Sequence, residues 1–180
     1  MDQLSNLSPG AIALLFAGGL IWALGGLTAF TGTSLIGTAA AFGIWAPLNI
    51  IVSMLWGALL FAEFPNSDAQ TLIRLFAALA AVIGGILLII FSRGKDKTQK
   101  TGKQAALLGY LMAVGAGVFW GSYYIPIEFA QVSMWVGAFP MAVGMLVGST
   151  LLMFLAKKSP RLESTEDVLR TLLTGALWSA

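Results

Sequence analysis

The chain has 180 residues, of which 58% are hydrophobic and only 10% are charged, and its formal net charge is +2. A soluble domain of this length cannot bury so much apolar surface, so the composition predicts a membrane protein. The small net charge argues against nucleic acid as a partner. Because Cys and His are both absent, disulfides, thiol chemistry and the usual zinc or haem ligands are excluded, and no cofactor is predicted.

Three apolar runs in the first part of the chain, residues 1–91, are each long enough to cross a bilayer at about 1.5 Å per residue. They predict helices at 11–30, 38–61 and 71–91. The polar segment TGTSLIG separates the first two, and the turn-rich AEFPNSDAQ separates the second from the third. Pro47 lies in the middle of the second run, between Trp45 and Asn49, and predicts a helix that is broken or bent there.

A basic linker is predicted at 92–104, and the rest of the chain, 105–180, forms a second part. That part predicts helices at 105–130 and 136–156 and a short apolar run at 171–180. The last run is too short to cross a bilayer, so we interpret it as the truncated start of a helix and the chain as a fragment of a longer protein.

Basic residues concentrate in two loops, 92–104 and 157–170, which are separated by two predicted crossings. Two crossings return the chain to the same side of the bilayer. The positive-inside rule therefore predicts that both loops are cytoplasmic, in a multi-pass protein of the cell membrane.

The helix predicted at 105–130 changes character near its end, where Trp-Gly-Ser-Tyr-Tyr is followed by Pro126 and Glu128. A proline removes one helical hydrogen bond and crowds the carbonyl four residues earlier, near Ser122. In hydrocarbon, such loosened backbone is tolerated only next to protein or to a water-filled cavity. We therefore expect residues 120–128 to border a cavity.

Several side chains are candidates for binding a small polar solute. Aromatic rings that offer apolar contact to the C–H face of a sugar are Trp22, Trp45, Trp120, Tyr123 and Tyr124. The alternative for these rings is an aromatic belt at the membrane interface. Ser122 adds a hydroxyl. Asn49 adds an amide in mid-helix, which either faces a polar cavity or bonds to another helix.

Glu128 is the one carboxylate within a predicted crossing. It either accepts a proton in proton-coupled uptake or meets water at the outer interface. In the first case a coupling proton or cation is a further partner.

A short pattern recurs in the chain. Gly19-Leu20-Ile21-Trp22-Ala23 resembles Gly175-Ala176-Leu177-Trp178-Ser179. The second copy lies five predicted helices after the first, and an odd offset inverts its topology. Inverted repeats of this kind are typical of secondary transporters that bind substrate near the membrane midplane.

Longer motifs carry a resemblance to a known family. They are GGLIWALGG, WAPLN, LWGALLFAEF, GVFWGSYYIPIEF, LLMFLAKKSPRL and LLTGALWSA. Together they resemble the sugar-porter branch of the drug/metabolite transporter superfamily, which includes the transmembrane protein 144 family and bacterial glucose, ribose and rhamnose uptake proteins. The resemblance implies a ten-helix inverted-repeat transporter, of which this chain matches the third to seventh helices and the start of the eighth. Members often carry Lys shortly after the motif's proline, where this chain has Glu128.

The prediction from sequence is an all-α membrane protein, a multi-pass helical bundle that transports a small polar solute, with a sugar favoured, by alternating access. Its partners are then the solute and the lipid bilayer. The sequence contains no phosphate loop, catalytic triad or metal cluster, so we predict no enzyme activity. Two alternatives stay open: an exporter of another metabolite or drug within the same superfamily, and a membrane scaffold subunit that does not transport.

Overall fold

The computed structural model of the chain describes residues 7–63, 68–92, 102–155, 164–166, 168–170 and 173. Within this part of the chain the continuous helices are α1 (Pro9–Ile36), α2 (Thr38–Leu60), α3 (Ala69–Ser92), α4 (Lys103–Ser122), α5 (Ile125–Ala130) and α6 (Met134–Leu155). Counting α4 and α5 as one span, five spans are long and apolar enough to cross a membrane. These helices confirm the predicted all-helical class.

The first helix runs six residues beyond its predicted end at residue 30. The prediction of a polar break over TGTSLIG is wrong because hydroxyl groups in this segment bond within the helix. The Thr31 hydroxyl donates to the Leu27 carbonyl at 2.7 Å, and the Ser34 hydroxyl donates to the Thr31 carbonyl at 2.8 Å. Only Gly37 interrupts the two helices, with φ of 82° in the region that favours glycine.

Side-chain caps begin two of the helices. The Ser8 hydroxyl accepts a hydrogen bond from the Ala11 amide at 3.1 Å, and Pro9 fills the first turn of α1, where its missing N–H is harmless. The Asp68 carboxylate accepts from the Thr71 amide at 2.8 Å at the start of α3. Hydrogen bonds from the Thr71 side chain and backbone hold the pKa of Asp68 below its ordinary value.

The fourth helix lies at the centre of the packing, against both α1 and α2, while α5 packs on α1 and α3 packs on α2. Its buried positions are all small: Gly109, Ala113, Ala116, Gly117 and Gly121. Residues without large side chains let helix backbones approach closely, which is how membrane helices associate when lipid removes the usual hydrophobic driving force.

The outer faces of the bundle are strongly apolar. Phe30 is 77% exposed and Leu59 73% exposed. No residue of α3 between 69 and 88 is buried. In water such faces would drive aggregation, so they are suited to contact with lipid.

The chain divides into two compact units, Met1–Ser149 and Thr150–Ala180. In the second unit, Arg170 Nη2 lies 2.6 Å from Glu166 Oε1 in an exposed ion pair one helical turn apart. Most of the predicted basic linker at 92–104, of the loop at 157–170 and of the apolar run at 171–180 lies outside the described residues.

Candidate functional site

One face of α2 carries aromatic and polar side chains at successive helical turns. They are Trp45, Asn49, Ser53 and Trp56, and all four are half-buried. Their spacing of four, four and three residues places them on one side of the helix. We call these four residues the α2 site face. The helix that carries them packs against α4.

Three tryptophans from three helices meet beside this face. The Trp45 and Trp120 rings lie edge to face with centroids 4.6 Å apart, and the Trp22 and Trp120 rings are tilted with centroids 5.7 Å apart. Trp120 Nε1 also donates a hydrogen bond to the Trp22 carbonyl oxygen at 3.1 Å. We call Trp22, Trp45 and Trp120 the tryptophan cluster. The structure thus brings together three residues that the sequence proposed separately.

A set of hydrogen bonds joins α2 to the end of α4. Trp56 Nε1 donates to the Ser122 hydroxyl at 2.8 Å, and this hydroxyl donates in turn to the Val118 carbonyl at 2.7 Å. The Ser53 hydroxyl reaches the Gly121 carbonyl at 3.3 Å. Because the Ser122 proton is already used within α4, its hydroxyl offers a ligand only an acceptor in this conformation.

The two tyrosines that follow Ser122 have different surroundings. The Tyr124 hydroxyl donates to the Ser53 carbonyl at 2.6 Å, and its ring lies 5.9 Å from that of Phe61, which also contacts Phe129. Tyr124 is therefore bound to α2. Tyr123 is half-buried, and its hydroxyl has no hydrogen-bond partner among the residues that the structure describes.

The amide of Asn49 is only partly satisfied. Its Oδ1 lies a long 3.5 Å from the Ser53 hydroxyl, one turn later in the same helix, and competes with the Gly121 carbonyl at 3.3 Å for the single proton of that hydroxyl. Within the described parts of the chain, Nδ2 has no partner, and no side-chain bond from Asn49 to another helix is present. Asn49 lies beside Gly121, since a Cβ on that glycine would stand 2.9 Å from the Asn49 carbonyl oxygen. The amide donor therefore stays available one helical turn after Trp45.

Pro126 and Pro47, the two prolines at predicted bends, have different effects on their helices. α4 ends at Ser122, a two-residue turn follows, and Pro126 occupies the first turn of α5. A proline fits there because that turn's amides lack helical partners. α2, in contrast, continues from Thr38 to Leu60 through Pro47, so this helix is not broken. A bend at Pro47 stays a prediction.

Glu128 lies in the first turn of α5 and is exposed. Its carbonyl oxygen accepts from both the backbone amide and the side-chain amide of Gln131, at 3.1 and 2.7 Å. Gln131 has φ of 52° and ends the helix in a left-handed conformation. Across the described ranges, no group of three or more acidic residues is placed to hold a metal ion.

The structure contains an apolar cavity of about 240 Å³ between the start of α1 and α6. It is lined by Leu7, Ile12, Phe16, Phe139, Pro140 and Val143. None of these six is a predicted site residue. The cavity predicted beside residues 120–128 therefore stays a prediction.

Sequence reasoning did not select two residues that contribute to this region, Ser53 and Gly25. Ser53 has a detectable signal, because it continues the four-residue spacing from Trp45 and Asn49. Gly25 has none, because its importance comes from contact with Trp120 on another helix.

Comparison with known proteins gives consistent matches. A family model described as sugar transport protein matches residues 3–180. The probable glucose uptake protein GlcU of Bacillus cereus is 27% identical over 176 residues, covering 97% of this chain and 58% of that protein. The glucose uptake protein GlcU of Bacillus subtilis is 28% identical over 162 residues, covering 89% of this chain and 53% of that protein.

A putative sugar uptake protein of Listeria monocytogenes is 23% identical over 164 residues, covering 91% of this chain and 55% of that protein. The chain thus spans somewhat more than half the length of these relatives. No solved structure matches it.

Proposed function

Because the chain belongs to the sugar transport protein family, we propose that it acts in the secondary transport of a sugar across the cell membrane by alternating access. Relatives named as glucose and sugar uptake proteins support a sugar as the solute. The five apolar spans support passage through a bilayer. These relatives are named for uptake and none of the three for an enzyme activity.

The observation that carries this proposal is the Asn49 amide donor, which has no partner among the described residues and lies one helical turn after Trp45 of the tryptophan cluster. A sugar ring has an apolar C–H face and a polar rim of hydroxyls. Indole rings such as Trp45 and Trp120 suit the face, and a free amide donor suits a hydroxyl. Interhelical bonding, the alternative role for Asn49, has less support, because the described side-chain bond of Asn49 stays within α2.

Alternating access requires helices that change their mutual packing around the bound sugar. We propose that the turn between α4 and α5 and a bend at Pro47 supply these changes. In the full transporter, two inverted five-helix halves would enclose the sugar, in line with the motif resemblance described above. The loops at 92–104 and 157–170 would then be cytoplasmic.

The proposal also assigns a coupling role to Glu128. It is the one carboxylate within the five candidate spans. An ionisable group within a membrane span is rare and is commonly used to bind a proton or a cation. Its side chain is exposed in the structure, so no neighbouring residue within the described part of the chain shields the carboxylate.

The test is uptake of labelled sugars by vesicles that contain the full-length protein. Trp120→Ala and Asn49→Ala should each lower uptake roughly tenfold, because single aromatic or hydrogen-bonding contacts to a ligand contribute about 1 to 2 kcal/mol. Trp135→Ala is the matched control, since Trp135 is 93% exposed. Absence of uptake for every sugar by the unmodified protein contradicts the function. Normal uptake by both variants contradicts the site.

A further inference from the structure

We propose that Gly25 is a positioning residue for the sugar site. Its missing side chain lets the Trp120 indole lie against the α1 backbone, and this contact fixes the position of the ring on which the sugar stacks. This inference rests on the proposed function and adds to it a residue that does not itself touch the sugar.

The geometry leaves no room for a side chain at residue 25. A Cβ built there would lie 2.5 Å from Nε1 and 2.9 Å from Cγ of Trp120. Real Cβ atoms essentially never come closer than 3.0 Å to another heavy atom. A residue larger than glycine at position 25 is therefore incompatible with the indole position seen in the structure.

A second contact fixes the indole along the same helix. Trp120 Nε1 donates to the Trp22 carbonyl, which lies three residues before Gly25 on α1. Seated in this way, the ring presents itself to Trp45 at a centroid distance of 4.6 Å and an interplanar angle of 76°. Gly25 therefore sets both the hydrogen bond and the ring contact.

The neighbouring position on α1 does not share this need for a glycine. Gly26 is also buried, yet a Cβ there would meet no atom within 4 Å. Elsewhere on α1, the atoms nearest a Cβ on Gly32 belong to the backbone of α4. Gly25 differs from both because its closest neighbour is the ring of a predicted site residue.

Adding a methyl group at residue 25 should displace the Trp120 ring and break its bond to the Trp22 carbonyl. Asn49 lies on α2 and keeps its place. A sugar would then no longer stack on the indole and bond to the amide at the same time. The expected effect is weaker binding of sugar, with the later steps of transport preserved.

The experiment compares Gly25→Ala with Gly26→Ala in the full-length transporter. The two substitutions add the same methyl group to adjacent positions of one helix. For Gly25→Ala, we expect the KM for sugar to rise roughly three- to tenfold, with the maximal rate per transporter within about twofold of the unmodified protein. Its near-ultraviolet circular dichroism should change in the bands that Trp120→Ala also alters. Gly26→Ala should match the unmodified protein in both measurements.

The outcomes separate this inference from the function on which it rests. If the unmodified protein takes up sugar and both variants keep its KM, Gly25 has no positioning role. If the unmodified protein takes up no sugar, the proposed function is wrong, and an unchanged dichroism spectrum in Gly25→Ala then overturns the positioning as well.

If Gly25→Ala fails to accumulate, a double variant tests whether the clash with Trp120 is the cause. Trp120→Ala removes the ring with which the new methyl group would clash. Combining it with Gly25→Ala should restore accumulation to the level of Trp120→Ala alone. If the double variant accumulates no better than Gly25→Ala, the clash with Trp120 is not the cause, and the inference is overturned.

Discussion

The hydroxyl of Tyr124 donates a 2.6 Å hydrogen bond to the carbonyl oxygen of Ser53, across 71 residues of sequence. Tyr124 lies in the turn between α4 and α5, and Ser53 lies on the α2 site face. The bond therefore ties to α2 the turn that separates α4 from α5. A movement of α5 away from α2 has to break it.

Tyr124→Phe should lower the free energy of unfolding by about 1 kcal/mol, because it removes one hydrogen bond and keeps the ring. Thermal unfolding in detergent measures the change. Tyr123→Phe is the matched control: its hydroxyl lacks a partner in the part of the chain that the structure describes, so it should be neutral. Equal stability of the two variants would contradict the role given to this bond.

The bond between Trp56 and Ser122 should appear as an energetic coupling between the two residues. In a double-mutant cycle with Trp56→Phe and Ser122→Ala, we expect an interaction of about 1 kcal/mol, because the indole N–H donates to the hydroxyl at 2.8 Å. Unfolding of the four proteins in the same detergent gives this value. Additive effects would show that the contact contributes no interaction energy to stability.

Gly121→Ala should destabilise the packing of α2 on α4. A Cβ there would lie 2.6 Å from Val52 Cβ, so the helices have to separate, at a cost of about 1–3 kcal/mol. Gly115→Ala is the control on the same helix, because its Cβ would lie at an ordinary 3.6 Å from Thr28. It should instead gain up to about 1 kcal/mol from helix propensity. The unfolding midpoint distinguishes the two, and the prediction fails if Gly121→Ala is the more stable.

Glu128→Gln should abolish the stimulation of uptake by an inward proton gradient, because an amide of the same size cannot bind and release the proton. Exchange of sugar at equal pH should stay within about twofold of the unmodified rate, since that process needs no net proton movement. Glu63→Gln is the control, because Glu63 lies outside the five candidate spans. A gradient response that survives in Glu128→Gln, or that the unmodified protein never shows, refutes the assignment.

The properties that the sequence determined are local ones. Hydrophobic length along the chain is sufficient to identify five apolar spans, and Pro126 marks the region where α4 ends. The prediction that α1 ends at residue 30 is wrong for a local reason. Thr31 and Ser34 suggest a polar break, but a hydroxyl can bond to its own helix, and sequence alone does not show which partner it takes.

The site was predictable only as a set of residue types. Indoles and an amide within apolar helices are residue types suited to a polar solute, but they also occur in aromatic belts and in bonds between helices. Which of them meet depends on contacts between distant positions, such as Trp22 and Trp120, which are 98 residues apart. Close packing of small residues brings α1, α2 and α4 together. Only that packing reveals that Gly25 lies under an indole, whereas a Cβ on the neighbouring Gly26 would meet no atom within 4 Å. The physical reason is that composition and helix length follow from neighbouring residues, whereas a binding surface follows from side-chain volumes that meet across helices.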